Sequence, residues 1–206
     1  PPADNRARAG DTYLNALRDN MYEAVRIMWS GSSVVDFINK SDLEWVNPRI
    51  GRKAYIWLNY PVTDYCGRHL LMGPTFGNDL DIADMVSGYT SNPMEYAEAS
   101  MLSLYSIADF TWHEAAYDCN ASWERAIKYL MPTHAEAFHV FCEHNVDLGA
   151  NGHGLRRMNE SVAFKAAAEA FKTAIANAYN AEAVQSMKQQ FAIITNAADE
   201  LLANTD

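Results

Sequence analysis

The sequence predicts a mixed architecture: an α/β unit over residues 1–118, followed by an all-α helical bundle over residues 119–206. Three observations carry this. Ala54-Tyr55-Ile56-Trp57-Leu58 is an apolar, aromatic-rich run, too short for a helix and of the kind shown by a parallel strand covered on both faces. Strand and helix patterns alternate from Val25 to Ala108, and polar residues close the strands at Ser30, Asn59 and Asn92. That order belongs to a (β/α) barrel or a doubly wound sheet, whose working face lies at the strands' carboxyl ends. After about Asp118 the texture changes to long Ala- and Glu-rich helical patterns with short connections, which favour antiparallel neighbours.

Taken in order, Asp4 to Asp11 is a polar loop by composition, and Tyr13, Leu14, Leu17 and Met21 recur at helical spacing. Val25 to Trp29 reads as a strand ending at Ser30-Gly31, and Val34 to Ile38 as a short apolar turn or helix. Ser41-Asp42-Leu43-Glu44 has the Ser-x-x-Glu form of a capping box and opens a helix toward Ile50. The Ala54 strand is broken by Asn59, and Pro61 stops further pairing. A short helix is expected from Asp79 to Met85, then a strand from Val86 to Asn92. Asn92 is expected to cap the next helix, with Pro93 at its first position, through Ala97, Met101, Leu104 and Ala108. Helices follow over Ser122 to Leu130, Thr133 to Asn145, Ser161 to Tyr179 and Ala181 to Leu202. Phe164, Ala168, Phe171 and Ile175 mark the buried stripe of the third, and Val184, Met187, Phe191, Ile194 and Leu201 that of the fourth.

The 206 residues are 49% hydrophobic, enough for a proper core, and carry a formal charge of -10. That charge disfavours nucleic-acid or anionic-membrane partners, and Arg156-Arg157 is too small a basic cluster to reverse it. No stretch approaches membrane-spanning length. Cys66, Cys119 and Cys142 are odd in number and widely spaced, so they read as reduced or buried thiols. The chain opens Pro1-Pro2-Ala3-Asp4 without an initiator Met, which reads as a processed chain or a fragment.

Trp57, Asn59 and Asp64 gather a wide aromatic, a carboxamide and a carboxylate where a strand gives way to a loop. Sugar pockets are built this way, with a ring wall for the apolar face and amide or carboxylate groups for hydroxyls. His134, His139, Glu143 and His144 share one helix but lack a His-Glu-x-x-His form, so they read as a helix face and not as metal ligands. Gly149 to Gly154 lacks the Lys and the preceding strand of a phosphate loop and reads as a turn-rich connector.

Four segments together resemble glycoside hydrolase family 84, the bacterial members most closely: Trp57 to Tyr65, Gly77-Asn78-Asp79, Asn92-Pro93-Met94-Glu95 and Asp147 to Gly154. The family contains O-GlcNAcases and enzymes named hyaluronidases, and the similarity runs in the same order along almost the whole chain. The resemblance implies the C-terminal portion of a TIM (β/α)8 barrel followed by a helical bundle, cleaving terminal β-linked N-acetylglucosamine on glycoproteins or glycans with retention. It implies no cofactor and no metal. The family's mechanism is substrate-assisted, through an oxazoline, with two adjacent aspartates.

Carried over by position, the resemblance makes Trp57, Ser30 and Val34 walls of the acetamido pocket and puts Asn59 near the reacting centre. Asp64 and Asn92 are then left to grip hydroxyls on the far side of the sugar. Ser30 stands where the family often has Thr, and Pro2 where it has Tyr. No Asp-Asp pair occurs in the sequence, and Asp79, Asp81 and Asp84 are spaced along what is expected to be a surface helix. The catalytic pair is therefore expected outside this chain, in a missing N-terminal half of the barrel carried by the same native chain or an associated one. Bacterial members are often exported, to periplasm or medium. The competing reading is a non-catalytic glycan- or protein-binding scaffold built on the helical bundle. The acidic balance argues against a polyanionic substrate such as hyaluronan.

Overall fold

A computed structural model of the chain describes residues 12–66, 69–146 and 158–204. The expected loop from Asp4 to Asp11, Pro2, Arg156-Arg157 and the Gly149 to Gly154 connector lie outside the described residues. The elements run α1 (Thr12–Asn20), β1 (Met28–Trp29), α2 (Lys40–Ile50), β2 (Ala54–Leu58), β3 (Val86–Ser91), α3 (Ala97–Trp112), α4 (Cys119–Leu130), α5 (Ala135–Glu143), α6 (Val162–Ile175) and α7 (Ala181–Leu202). The three strands form a parallel sheet in the order β1-β2-β3. The fold is thus mixed helix and sheet, as the alternating patterns imply.

The sheet differs from expectation in being covered on one face. Ala54, Ile56 and Leu58 are buried beneath the helices, whereas Trp57 on the opposite face is 40% exposed and Met28 of β1 is 53% exposed. Strand residues alternate sides, so an uninterrupted apolar run buries one half of itself and presents the other. On the bare face Tyr55 pairs with Gly88, after a bulge that makes Ser87 the extra residue of β3. Gly88 has φ +149°, a Cβ there would come within 2.6 Å of the Tyr55 ring, and the Tyr55 hydroxyl donates to the Tyr89 carbonyl at 2.9 Å. Glycine is required where a ring lies this close over the backbone.

The Val25 to Trp29 strand is shorter than expected: only Met28 and Trp29 pair. The helix expected from Asp79 to Met85 is a single 3₁₀ turn over Ala83–Met85. Its polar groups are directed at other elements. The Asp79 carboxylate accepts from the Lys40 N–H at 2.7 Å, the Asp79 N–H donates to the Ile38 carbonyl, and buried Glu114 accepts from the Ala83 N–H. The capping box is also absent, because α2 begins at Lys40 with Asn39 at its N-cap position and takes its acceptor from Asp79 instead. Gly51, at φ +68°, ends α2 in the left-handed conformation that glycine supplies cheaply.

One apolar cluster joins the sheet to the helices: Ile56 and Leu58 with Leu43, Val46 and Ile50 of α2, Leu102 and Ile107 of α3, Ala126 and Ile127 of α4 and Cys142 of α5. Asp118 starts α4 by accepting the Ala121 N–H at 2.7 Å. The long C-terminal patterns are helical, but α6 stops at Ile175, short of the expected Tyr179, and Phe191 of the expected buried stripe of α7 is exposed, although it meets Phe164 of α6 edge to face at 5.2 Å. The α6 stripe is only half covered: among the described residues α6 has none that is buried, and Ile175 is 39% exposed.

Candidate functional site

Asn59 follows β2 directly, and its carboxamide links three segments. The Trp57 indole N–H donates to Asn59 Oδ1 at 2.7 Å, Asn92 Nδ2 donates to the same oxygen at 3.1 Å, and Asn59 Nδ2 donates to the Val34 carbonyl at 2.5 Å. Side chains from the carboxyl ends of β2 and β3 therefore meet at one amide, braced by the loop that follows β1. Trp57 reaches it because its side chain lies on the bare face of the sheet.

Ser30, Val34, Trp57 and Asn59 line a cavity of about 350 Å³, together with Met28 and Trp29. Asp64 and Asn92 line a second, larger depression of about 660 Å³, whose wall includes His69, Glu95 and Tyr96. The six residues thus fall in two hollows, four in one and two in the other, and the Asn59–Asn92 bond links the two linings. Met28, Trp29, His69 and Tyr96 were not singled out in the sequence. The first two read there only as strand residues, and nothing in the local pattern marks the others.

The role of Asn92 as a helix cap is corrected. Its N–H donates to the Leu58 carbonyl and its own carbonyl accepts from the Val62 N–H, both at 2.9 Å, so its backbone extends the β3 register past the end of β2. Helix α3 begins only at Ala97, with Tyr96 at the N-cap position. The intervening segment is pinned by buried Met94, whose sulfur accepts from the Leu71 N–H at 3.3 Å. Ser91 adds a hydroxyl bond to the Tyr60 carbonyl at 2.7 Å. Glu95, hydrogen-bonded to the exposed Tyr96 phenol, raises the pKa of that phenol.

The histidines of the α5 region turn to separate partners. His134 meets Glu200 at 2.8 Å, His139 meets Glu124 at 3.1 Å, and His144 meets the Ser161 hydroxyl at 2.6 Å. The Cys66 thiol donates to the Thr63 carbonyl at 3.2 Å, and Cys142 is buried. No helix among the described residues is long and apolar enough to cross a membrane.

Comparison with known proteins gives the following. The family model described as beta-N-acetylglucosaminidase matches residues 2–143. Protein O-GlcNAcase of Rattus norvegicus is 27% identical over 104 residues, covering 50% of this chain and 11% of that protein, and the Mus musculus protein matches equally. Among solved structures, CpGH84D superposes with a TM-score of 0.82 at 29% identity over 93% of this chain and 32% of its own. CpGH84B gives 0.79 at 23% identity over 99% and 35%. An O-GlcNAc hydrolase mutant of Thermobaculum terrenum gives 0.82 at 23% identity over 95% and 41%. The chain therefore spans about a tenth of the curated relatives it matches and between 32% and 41% of these structures.

Proposed function

The chain belongs to the beta-N-acetylglucosaminidase family and is a relative of the glycoside hydrolase family 84 enzymes, and on that premise we propose that it is the C-terminal portion of a retaining exo-β-N-acetylglucosaminidase. Residues 1–118 form the last part of a (β/α)8 barrel and residues 119–206 the helical bundle beside it. A terminal β-linked N-acetylglucosamine on a glycoprotein or glycan is the substrate.

The observation that carries the reading is the Asn59 carboxamide, which ties the Trp57 ring to Asn92 where two parallel strands end. Ligands of α/β folds bind at such ends. The 2-acetamido group lies in the smaller cavity, walled by Trp57, Val34 and Ser30, with the anomeric carbon near Asn59. Asp64 and Asn92 accept and donate to hydroxyls from the larger one. A hydroxyl-rich neutral sugar fits this lining, with a ring for its apolar face and amide and carboxylate groups for its rim.

Catalysis proceeds by attack of the acetamido oxygen on the anomeric carbon, with departure of the aglycone oxygen, which takes a proton from a general acid. Water then attacks the anomeric carbon and opens the oxazoline, giving up a proton to the same group, now acting as a general base. The two aspartates that steer the acetamido group and transfer the proton lie outside this chain, so the chain alone is inactive. Each outer strand, β1 and β3, pairs on one side only among the described residues, and a barrel half supplying the remaining strands would close both edges.

The test is reconstitution. A front-half fragment of a family member added to this chain should restore release of an aryl leaving group from its N-acetylglucosaminide. A folded complex without turnover overturns the proposal. The second reading, a non-catalytic glycan- or protein-binding module, is favoured by the open face of α6 and α7, where Val162 is 60% and Phe191 54% exposed. It requires the isolated chain to be monodisperse and to unfold cooperatively, and a molten or aggregated chain excludes it.

A further inference from the structure

The loop that brings Val34 to the smaller cavity is hydrogen-bonded to a residue outside the cavity's lining. Asp36 sits in the loop after β1 and accepts two backbone hydrogen bonds with one carboxylate, from the Ser33 N–H at 2.9 Å through Oδ2 and from the Phe37 N–H at 2.9 Å through Oδ1. Charged acceptors hold backbone donors about twice as strongly as neutral ones. The loop is closed further by the Ser33 hydroxyl on the Val35 carbonyl at 3.0 Å. At Gly31 the backbone has φ +109° and passes so close to Asp36 that a Cβ there would stand 2.6 Å from the Asp36 Cβ. Asp36 is thus clamped between the start of the loop and its end, and Val34 is held at the crest between them.

The consequence reaches the site through one atom. The Val34 carbonyl accepts from Asn59 Nδ2 at 2.5 Å and so fixes which way the carboxamide faces. Its oxygen is then turned to Trp57 Nε1 and Asn92 Nδ2, at 2.7 and 3.1 Å. An amide in the flipped orientation would set its nitrogen against those two donors and its oxygen against the Val34 carbonyl, losing all three bonds. Among the described residues the Asn59 oxygen is occupied twice and one of its N–H groups is spent on Val34, which leaves the other N–H for a ligand's acceptor atom.

We infer that Asp36 is a positioning residue for the sugar pocket, orienting the Asn59 carboxamide through the Val34 carbonyl so that Asn59 acts on the ligand as a donor. The inference rests on the proposed sugar-binding role of Asn59 and adds the device that sets its orientation.

The experiment uses the whole chain and its Trp57 indole N–H resonance, identified by Trp57→Phe, together with titration by N-acetylglucosamine. Asp36→Ala should move the indole resonance toward that of a solvent-exposed indole and weaken sugar binding about tenfold. Asp36→Asn keeps one acceptor oxygen and should fall between Ala and wild type in both readouts. An Asp36→Ala chain with both the resonance and the affinity of wild type overturns the inference, including where only its unfolding midpoint falls. If Asp36→Ala does not fold, Asp36→Asn decides alone: an unmoved resonance and unchanged affinity overturn the inference. A wild-type chain that binds no sugar overturns the pocket assignment itself, while the resonance still reports whether Asp36 orients Asn59.

Discussion

At the scale of single residues, burial sets the ionisation of three side chains. It pushes the Cys142 thiol up from its ordinary value of 9.0 and the Tyr89 and Tyr117 phenols up from 10.0, with the Glu114 carboxylate adding to the effect on Tyr89. The folded state keeps these protons after the unfolded chain has released them. Stability is therefore fully present below pH 9 and falls as the pH rises beyond it, by up to about 1.4 kcal/mol per pH unit for each group engaged. Between pH 9 and 10 the thiol acts largely alone, so Cys142→Ala should flatten that part of the curve and leave the steeper fall above it. Denaturant midpoints across this range check the prediction, and an unchanged profile in the variant contradicts it. Individual residues differed in how plainly the sequence marked them. Trp57 and Asn59 were legible because an apolar run stops abruptly at a carboxamide. Asp36 was not, since its effect passes through the carbonyl of another residue and leaves no pattern of its own.

At the scale of elements, the start of α2 shows how local signals can be overruled. Ser41 and Glu44 have the spacing of a cap, yet the Lys40 N–H is held by Asp79, thirty-nine positions along the chain. Asp79→Ala should cost about 1 kcal/mol, as loss of a capping acceptor does, whereas Ser41→Ala should cost less than about half of that. Urea unfolding of the two variants checks this, and the reverse order would restore the capping box. The same competition explains Asn92. Asn-Pro is a good helix start by local rules, but the strand end at Leu58 and the turn at Val62 claim its backbone first. The long patterns of α4 to α7 were legible because 3.6-residue periodicity needs no distant partner. The pairing of only two residues in β1 was not, since strand length is set by what lies alongside.

At the scale of the molecule, the sheet and the following helices share one core. Beyond the cluster that runs from Leu14 to Cys142, the Trp123 indole of α4 donates to the buried Met72 carbonyl at 2.8 Å, and the Tyr117 hydroxyl donates to the Thr75 carbonyl at 2.6 Å. Trp123→Phe should cost roughly 1–3 kcal/mol, because it leaves a buried carbonyl without its donor. The loss should appear in one transition, seen alike by far-ultraviolet circular dichroism and by the fluorescence of the four remaining tryptophans. Two separated transitions would mean that the two parts unfold independently. The change of texture near Asp118 was plain in the sequence, but how tightly the parts adhere was not, for it depends on single bonds such as that from Trp123.

The contact between Tyr55 and Gly88 ties two strands together in a different sense. A ring from β2 fills the space a β3 side chain would otherwise occupy. A lineage that keeps an aromatic ring at 55 must keep glycine at 88, whereas a smaller residue at 55 would remove the collision and leave only the cost of the backbone angle.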